Sequence, residues 1–197
     1  MWGCDKKGGS LSQLEEALTS AAWYAIRVRS NQEKRVEALL GGKGLETFLP
    51  MYSSVSRWSD RIKTVQLPLF AGYVFSRFEV TRRLPVLTTP GVVHILGNSS
   101  GPVPVDEGEL DAVRRVIAAG RPLSPWPYLA AGDRIVLECG ALAGTRGTLL
   151  RVKNEFRLVV SVTLLQRSVA VEVDRAAVRR DRGTGMRHSS EPVATEF

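Results

Sequence analysis

Two histidines and two cysteines in 197 residues leave little material for acid–base, thiol or metal chemistry. His94 stands alone in an apolar run and reads as a structural histidine, while His188 lies in the polar C-terminal stretch; general acid–base work needs a positioned partner. Cys4 and Cys139 have no CxxC spacing, so neither a disulfide framework nor a thiolate metal site is expected. No HExxH and no phosphate-loop lysine occur, and Ser53, Ser54, Ser99 and Ser100 read as turn formers rather than nucleophiles. Gly140, Gly144 and Gly147 are the one suggestive glycine set. A phosphate cradle needs a following helix to supply N–H donors, and none follows, so these glycines read as a tight turn between strands. No catalytic residue, metal or cofactor is expected, and an enzyme is not expected.

The elements around these residues fall into two blocks. Trp23 to Arg29 alternates into Arg27 and Arg29 as a strand with one face in a core. Ser30 or Asn31 should cap a helix with Val36, Leu39 and Leu40 on one face, stopped by Gly41 and Gly42. A second strand over 45–50, a polar arm over 51–64 and a central strand from Tyr73 follow. A short helix over 81–88, a strand over 92–96 and a helix from Asp106 or Glu107 to Ala119 complete about 100 residues. Pro122, Pro125 and Pro127 then make a stiff spacer. Beyond it lie short strands over 133–138, 146–153, 156–165 and 168–174, with Val169, Val171 and Val173 at a period of two. A capping box of Ser12 with Glu15 suggests a further short helix near the start.

The predicted fold class is α+β. An N-terminal extension (1–22) precedes an α/β sandwich (23–120), a linker (121–129), a small SH3-like β-barrel (130–180) and a disordered tail (181–197). The net charge of +7 sits in the interior: the two blocks carry +4 each, the linker +1, and each end −1. Such basicity permits a nucleic-acid partner. No apolar run reaches the ~20 residues a membrane span needs, and no signal-peptide core is present, so a cytoplasmic monomer with no membrane partner is expected.

Gly132 and Asp133 leading into Ile135 and Val136, then Gly140, Gly144 and Gly147 before Thr148 and Leu149, resemble the KOW motif. Upstream, Trp23 and Tyr24 opening a strand, Pro68, Leu69, Phe70, Ala71, Gly72, Tyr73, Val74 and Phe75, and Thr89, Pro90 and Gly91 resemble the NGN domain of NusG-type transcription elongation factors. The resemblance spans about 23–180. It implies a non-enzymatic elongation or antitermination factor whose NGN domain binds RNA polymerase and whose KOW domain recruits a second protein, NusE or Rho. The alternative is an RNA-binding module like KOW-bearing ribosomal proteins, with no polymerase contact.

Carried over position by position, the resemblance implies a polymerase-docking patch at Phe70, Ala71, Tyr73 and Phe75, with Trp23 and Tyr24 nearby. Aromatic anchors suit such a patch, and the same rings suit a core. Ala71 stands where the family often has proline. A second polymerase contact maps to Thr81, Arg82 and Arg83, which also read as a solvated basic turn. The arm with Arg57, Trp58, Arg61 and Lys63 resembles that of specialised paralogues. Basic groups interleaved with a tryptophan suit phosphate contacts and base stacking on non-template DNA or nascent RNA. Arg114 and Arg115 either extend that stripe or face water. The KOW partner site maps to Leu164, Leu165 and Arg167; Leu165 and Gln166 replace the family's common Phe-Gly.

Overall fold

The computed structural model describes residues 20–58, 61–127, 133–152, 155–173 and 177–180. The expected capping box at Ser12 and Glu15 and the expected tail beyond 180 lie outside the described residues.

Strand β1 (Ala22–Val28) runs through the centre of the first block. It is paired antiparallel on one side with β5 (Tyr73–Phe78) and on the other with β6 (Val92–Ile95). The short β2 (Glu46–Phe48) adds beyond β5, giving the order β2-β5-β1-β6. Both faces of this sheet are covered, which is why β1 is almost uniformly buried. Tyr24, Ile26 and Val28 join Val36 and Leu40 of helix α1 (Glu33–Gly42) and Val86 of the one-turn helix α2 (Leu84–Leu87). The alternate residues Trp23 and Ala25 join Phe75 and Leu110, Val113 and Val116 of helix α3 (Glu107–Ala118). A period of two along the strand thus divides one sequence between two cores.

The expected elements are present with adjusted ends. α1 begins one residue after Gln32, which makes no side-chain cap, so neither Ser30 nor Asn31 caps it. Asp106 does cap α3, accepting the Glu109 N–H at 3.0 Å. The helix expected over 81–88 is split into a 3-10 turn (Val80–Arg82) and α2, with Pro85 near the α2 N-terminus. The polar arm is a hairpin of β3 (Met51–Trp58) and β4 (Arg61–Pro68), whose register sets Trp58 opposite Arg61 and Ser56 opposite Lys63. Two short strands, β7 (Gly97–Asn98) and β8 (Gly101–Pro102), form a small hairpin before α3.

The second block is a six-stranded antiparallel sheet. Its strands are β9 (Leu123–Pro127), β10 (Asp133–Leu137), β11 (Arg146–Val152), β12 (Glu155–Val162), β13 (Arg167–Val173) and β14 (Val178–Arg180). The order is β14-β10-β11-β12-β13-β9, and among the described residues its outer strands β9 and β14 do not pair, so the expected barrel is an open sheet. The segment expected as a spacer supplies β9, paired to β13 from Leu123↔Val171 to Pro127↔Arg167. Pro125 and Pro127 stand two apart on an edge strand, where a missing N–H costs no ladder bond on the free side. At Gly147 the backbones approach closely: a Cβ there would lie 2.6 Å from the Val159 carbonyl oxygen.

Candidate functional site

The face of the first sheet under α3 gathers the docking candidates. Register sets Arg27 opposite Tyr73, Ala25 opposite Phe75 and Trp23 opposite Arg77, so all six share one face. β2 adds Phe48 opposite Phe75. Phe75 is fully buried, edge-on to Phe70 at 5.8 Å between centroids and tilted against Phe48 at 6.1 Å. Trp23 is 3% exposed and carries the Arg114 guanidinium of α3 at 4.6 Å, which lies also 4.9 Å from the Phe48 ring and is paired with Asp111 at 2.7 Å. Arg114 is therefore not a free basic stripe: its guanidinium lies over the aromatic floor and is paired with Asp111.

Tyr73 is the half-buried member of the set, at the start of β5. Arg27 of β1 stacks over its ring at 4.9 Å, and Arg167 of the second block lies 5.6 Å away. Ala71 is exposed at the turn before it. Tyr24 points the other way, into the α1 core, with its ring 4.7 Å from Phe78. Burial pushes its phenol above the usual value of 10.0, as expected of a core tyrosine. Thr81, Arg82 and Arg83 are exposed, on a turn whose flanking Val80 and Val86 are anchored in that same α1 core, away from Tyr73. Arg57, Trp58, Arg61 and Lys63 lie at the far end of the β3–β4 hairpin, a region separate from the Tyr73 turn.

The second block sits against this face. One apolar cluster runs from Trp23, Phe70, Phe75 and the inner side of α3 into Ile135, Leu158, Val160 and Leu165. Polar contacts border it. The Glu109 carboxylate accepts both the Thr163 N–H at 3.0 Å and the Thr163 hydroxyl at 2.6 Å, and Arg115 donates to the Gly144 carbonyl at 3.1 Å. A cleft of about 720 Å³ remains between α3 and β10–β12, lined in part by Glu109, Arg115, Arg134 and Arg146. Leu165 is buried and Leu164 partly buried in the shared cluster, beside the 3-10 turn Thr163–Leu165. Gln166 follows with φ +50°, a left-handed position that favours the glycine it replaces. The candidates for the two partner sites, Tyr73 on one block and Leu164, Leu165 and Arg167 on the other, thus meet at one interface. Phe48, Glu109 and Thr163 belong to it without any sequence signal that singles them out.

Residues 21–114 match the family model described as transcription termination factor NusG. Over this segment the chain is similar to NusG. The matched segment holds Trp23, Phe48, Tyr73 and Arg114 together. The transcription termination/antitermination protein NusG of Borreliella burgdorferi is 22% identical over 176 residues, covering 79% of this chain and 96% of that one. A solved structure titled for domain interaction in Thermotoga maritima NusG superposes with a TM-score of 0.52 at 18% identity. It covers 84% of this chain and 99% of that one, a likeness of fold. Among the described residues no helix is long and apolar enough to cross a membrane.

Proposed function

We propose that this chain is a NusG-type factor that binds RNA polymerase through the α3-side face of its first block, with Tyr73 as the central anchor. Trp23, Phe48, Phe70 and Phe75 form the floor beneath it, and Ala71 lies at the rim. The observation that carries this reading is that the face is already used as a protein-docking surface, by the second block of the same chain. A half-buried tyrosine over a rigid aromatic floor, ringed by charged groups, has the composition of an interface hot spot. Thr81, Arg82 and Arg83 are proposed as a second polymerase contact, and Arg57, Trp58, Arg61 and Lys63 as contacts to non-template DNA or nascent RNA. Leu164, Leu165 and Arg167 are proposed to take the second partner, NusE or Rho.

Because Tyr73 and Leu165 lie at one interface, neither partner reaches its site while the blocks are packed together. The described arrangement is then a closed state, and either partner draws the molecule toward an open one by binding only that form. Binding of full-length protein to core RNA polymerase tests the reading. Tyr73→Ala is expected to weaken it at least tenfold, the loss typical of an aromatic hot spot. Unchanged binding by a folded Tyr73→Ala protein removes the assignment. Affinity for ribosomal RNA that falls steeply with salt, with none for polymerase, supports the RNA-binding alternative instead.

A further inference from the structure

The docking turn is held from beneath by a residue outside the aromatic set. Glu33, the first residue of α1, is only 6% exposed, and its carboxylate accepts the backbone N–H of Gly72 at 2.8 Å. Gly72 has φ +81°, and a Cβ there would lie 2.5 Å from the Arg27 guanidinium that stacks over Tyr73. The Gly72 carbonyl accepts the Val28 N–H at 2.9 Å, and the Tyr73 N–H closes the turn on the Phe70 carbonyl at 3.0 Å. The Phe70–Tyr73 turn is therefore fixed on both sides of Gly72, and only the N–H side depends on a side chain.

We propose that Glu33 is a positioning residue for polymerase docking: its buried carboxylate locks the Gly72 turn so that Tyr73 is presented in its binding geometry. The proposal rests on the docking reading above. Its physical basis is that a carboxylate accepts a backbone N–H about twice as strongly as a neutral acceptor does, and at the first turn of α1 its charge is also favoured by the helix dipole. Ala71 leaves this turn without the ring that would stiffen it, and Glu33 supplies the constraint from across the fold. A rigid turn avoids the ordering cost that a mobile one incurs on binding.

The test uses full-length protein carrying Glu109→Ala throughout, so that the contact between the blocks is weakened equally in every variant. Glu33→Ala is expected to speed hydrogen exchange at the Gly72 amide by about a hundredfold and to weaken polymerase binding about tenfold. Glu33→Gln keeps an acceptor and is expected to restore both to within about threefold. In a Tyr73→Ala background, Glu33→Ala is expected to cost little further affinity, because the anchor it positions is gone. Two results overturn the proposal: faster Gly72 exchange with unchanged polymerase binding, or equal losses from Glu33→Gln and Glu33→Ala. Full affinity in Tyr73→Ala alone instead overturns the docking reading, while the exchange data still report whether Glu33 holds the turn.

Discussion

Trp23 and Tyr24 are neighbours in sequence, equally buried, and belong to different systems. Tyr24 faces a core completed within the first block by α1 and α2. Trp23 faces a cluster that continues across the block boundary into β10, β12 and β13. One side of the sheet is sealed by α1 and α2 of the same block, while the other is finished by α3 together with the second block. Aromatic residues therefore pack within the first block on one face and toward the second block on the other, and their parity along β1 and β5 decides which.

The largest separation of the two faces is expected from Phe78→Ala on the α1 side. Loss of a buried phenylalanine should lower stability by about 3–5 kcal/mol in denaturant titration. Polymerase affinity per folded molecule should stay unchanged. Tyr73→Ala is expected to do the reverse, with a loss of at least about 1.4 kcal/mol in polymerase binding and a smaller change in the unfolding midpoint. A Tyr73 variant as destabilised as Phe78→Ala, with polymerase affinity intact, would erase the distinction.

Glu109→Ala removes both acceptors of the Thr163 contact without touching the aromatic floor. It should loosen the packing of the blocks by about 1–3 kcal/mol. Polymerase affinity should then rise by up to about tenfold, because less of the binding energy is spent on opening. The smallest effect is expected at Gln166. Relief of its left-handed backbone by Gln166→Gly should stabilise the second block by at most about 1 kcal/mol, partly offset by loss of the side-chain bond to the Thr163 carbonyl. Thermal melts resolve it.

Much of the fold was legible because its signals are local. Alternation marked β1 and β13, Asp106 marked the start of α3, and the spacing of Gly140, Gly144 and Gly147 marked the turn before β11. β9 was not legible, since two prolines in five residues read as a spacer, and only an edge position tolerates them. Closure of the second sheet was expected from strand spacing, which specifies neighbours and not whether the outer strands meet. The site was half legible: Tyr73 and Phe75 stood out by type and parity. Phe48, Glu109 and Glu33 did not, because their roles arise from contacts across 27, 54 and 39 residues of chain. Tyr24, adjacent in sequence to Trp23, faces the α1 core instead, a difference of parity alone.

The Thr163 amide offers the most direct test, because its proton is bonded to Glu109 only while the blocks are packed together. Hydrogen exchange is measured on the unmodified full-length protein, alone and with saturating RNA polymerase. If polymerase takes the face now covered by the second block, exchange at Thr163 speeds up on binding while the Tyr73 amide stays protected. Undiminished protection at Thr163 in the bound complex would mean that polymerase binds elsewhere and that the closed contact is simply part of the fold.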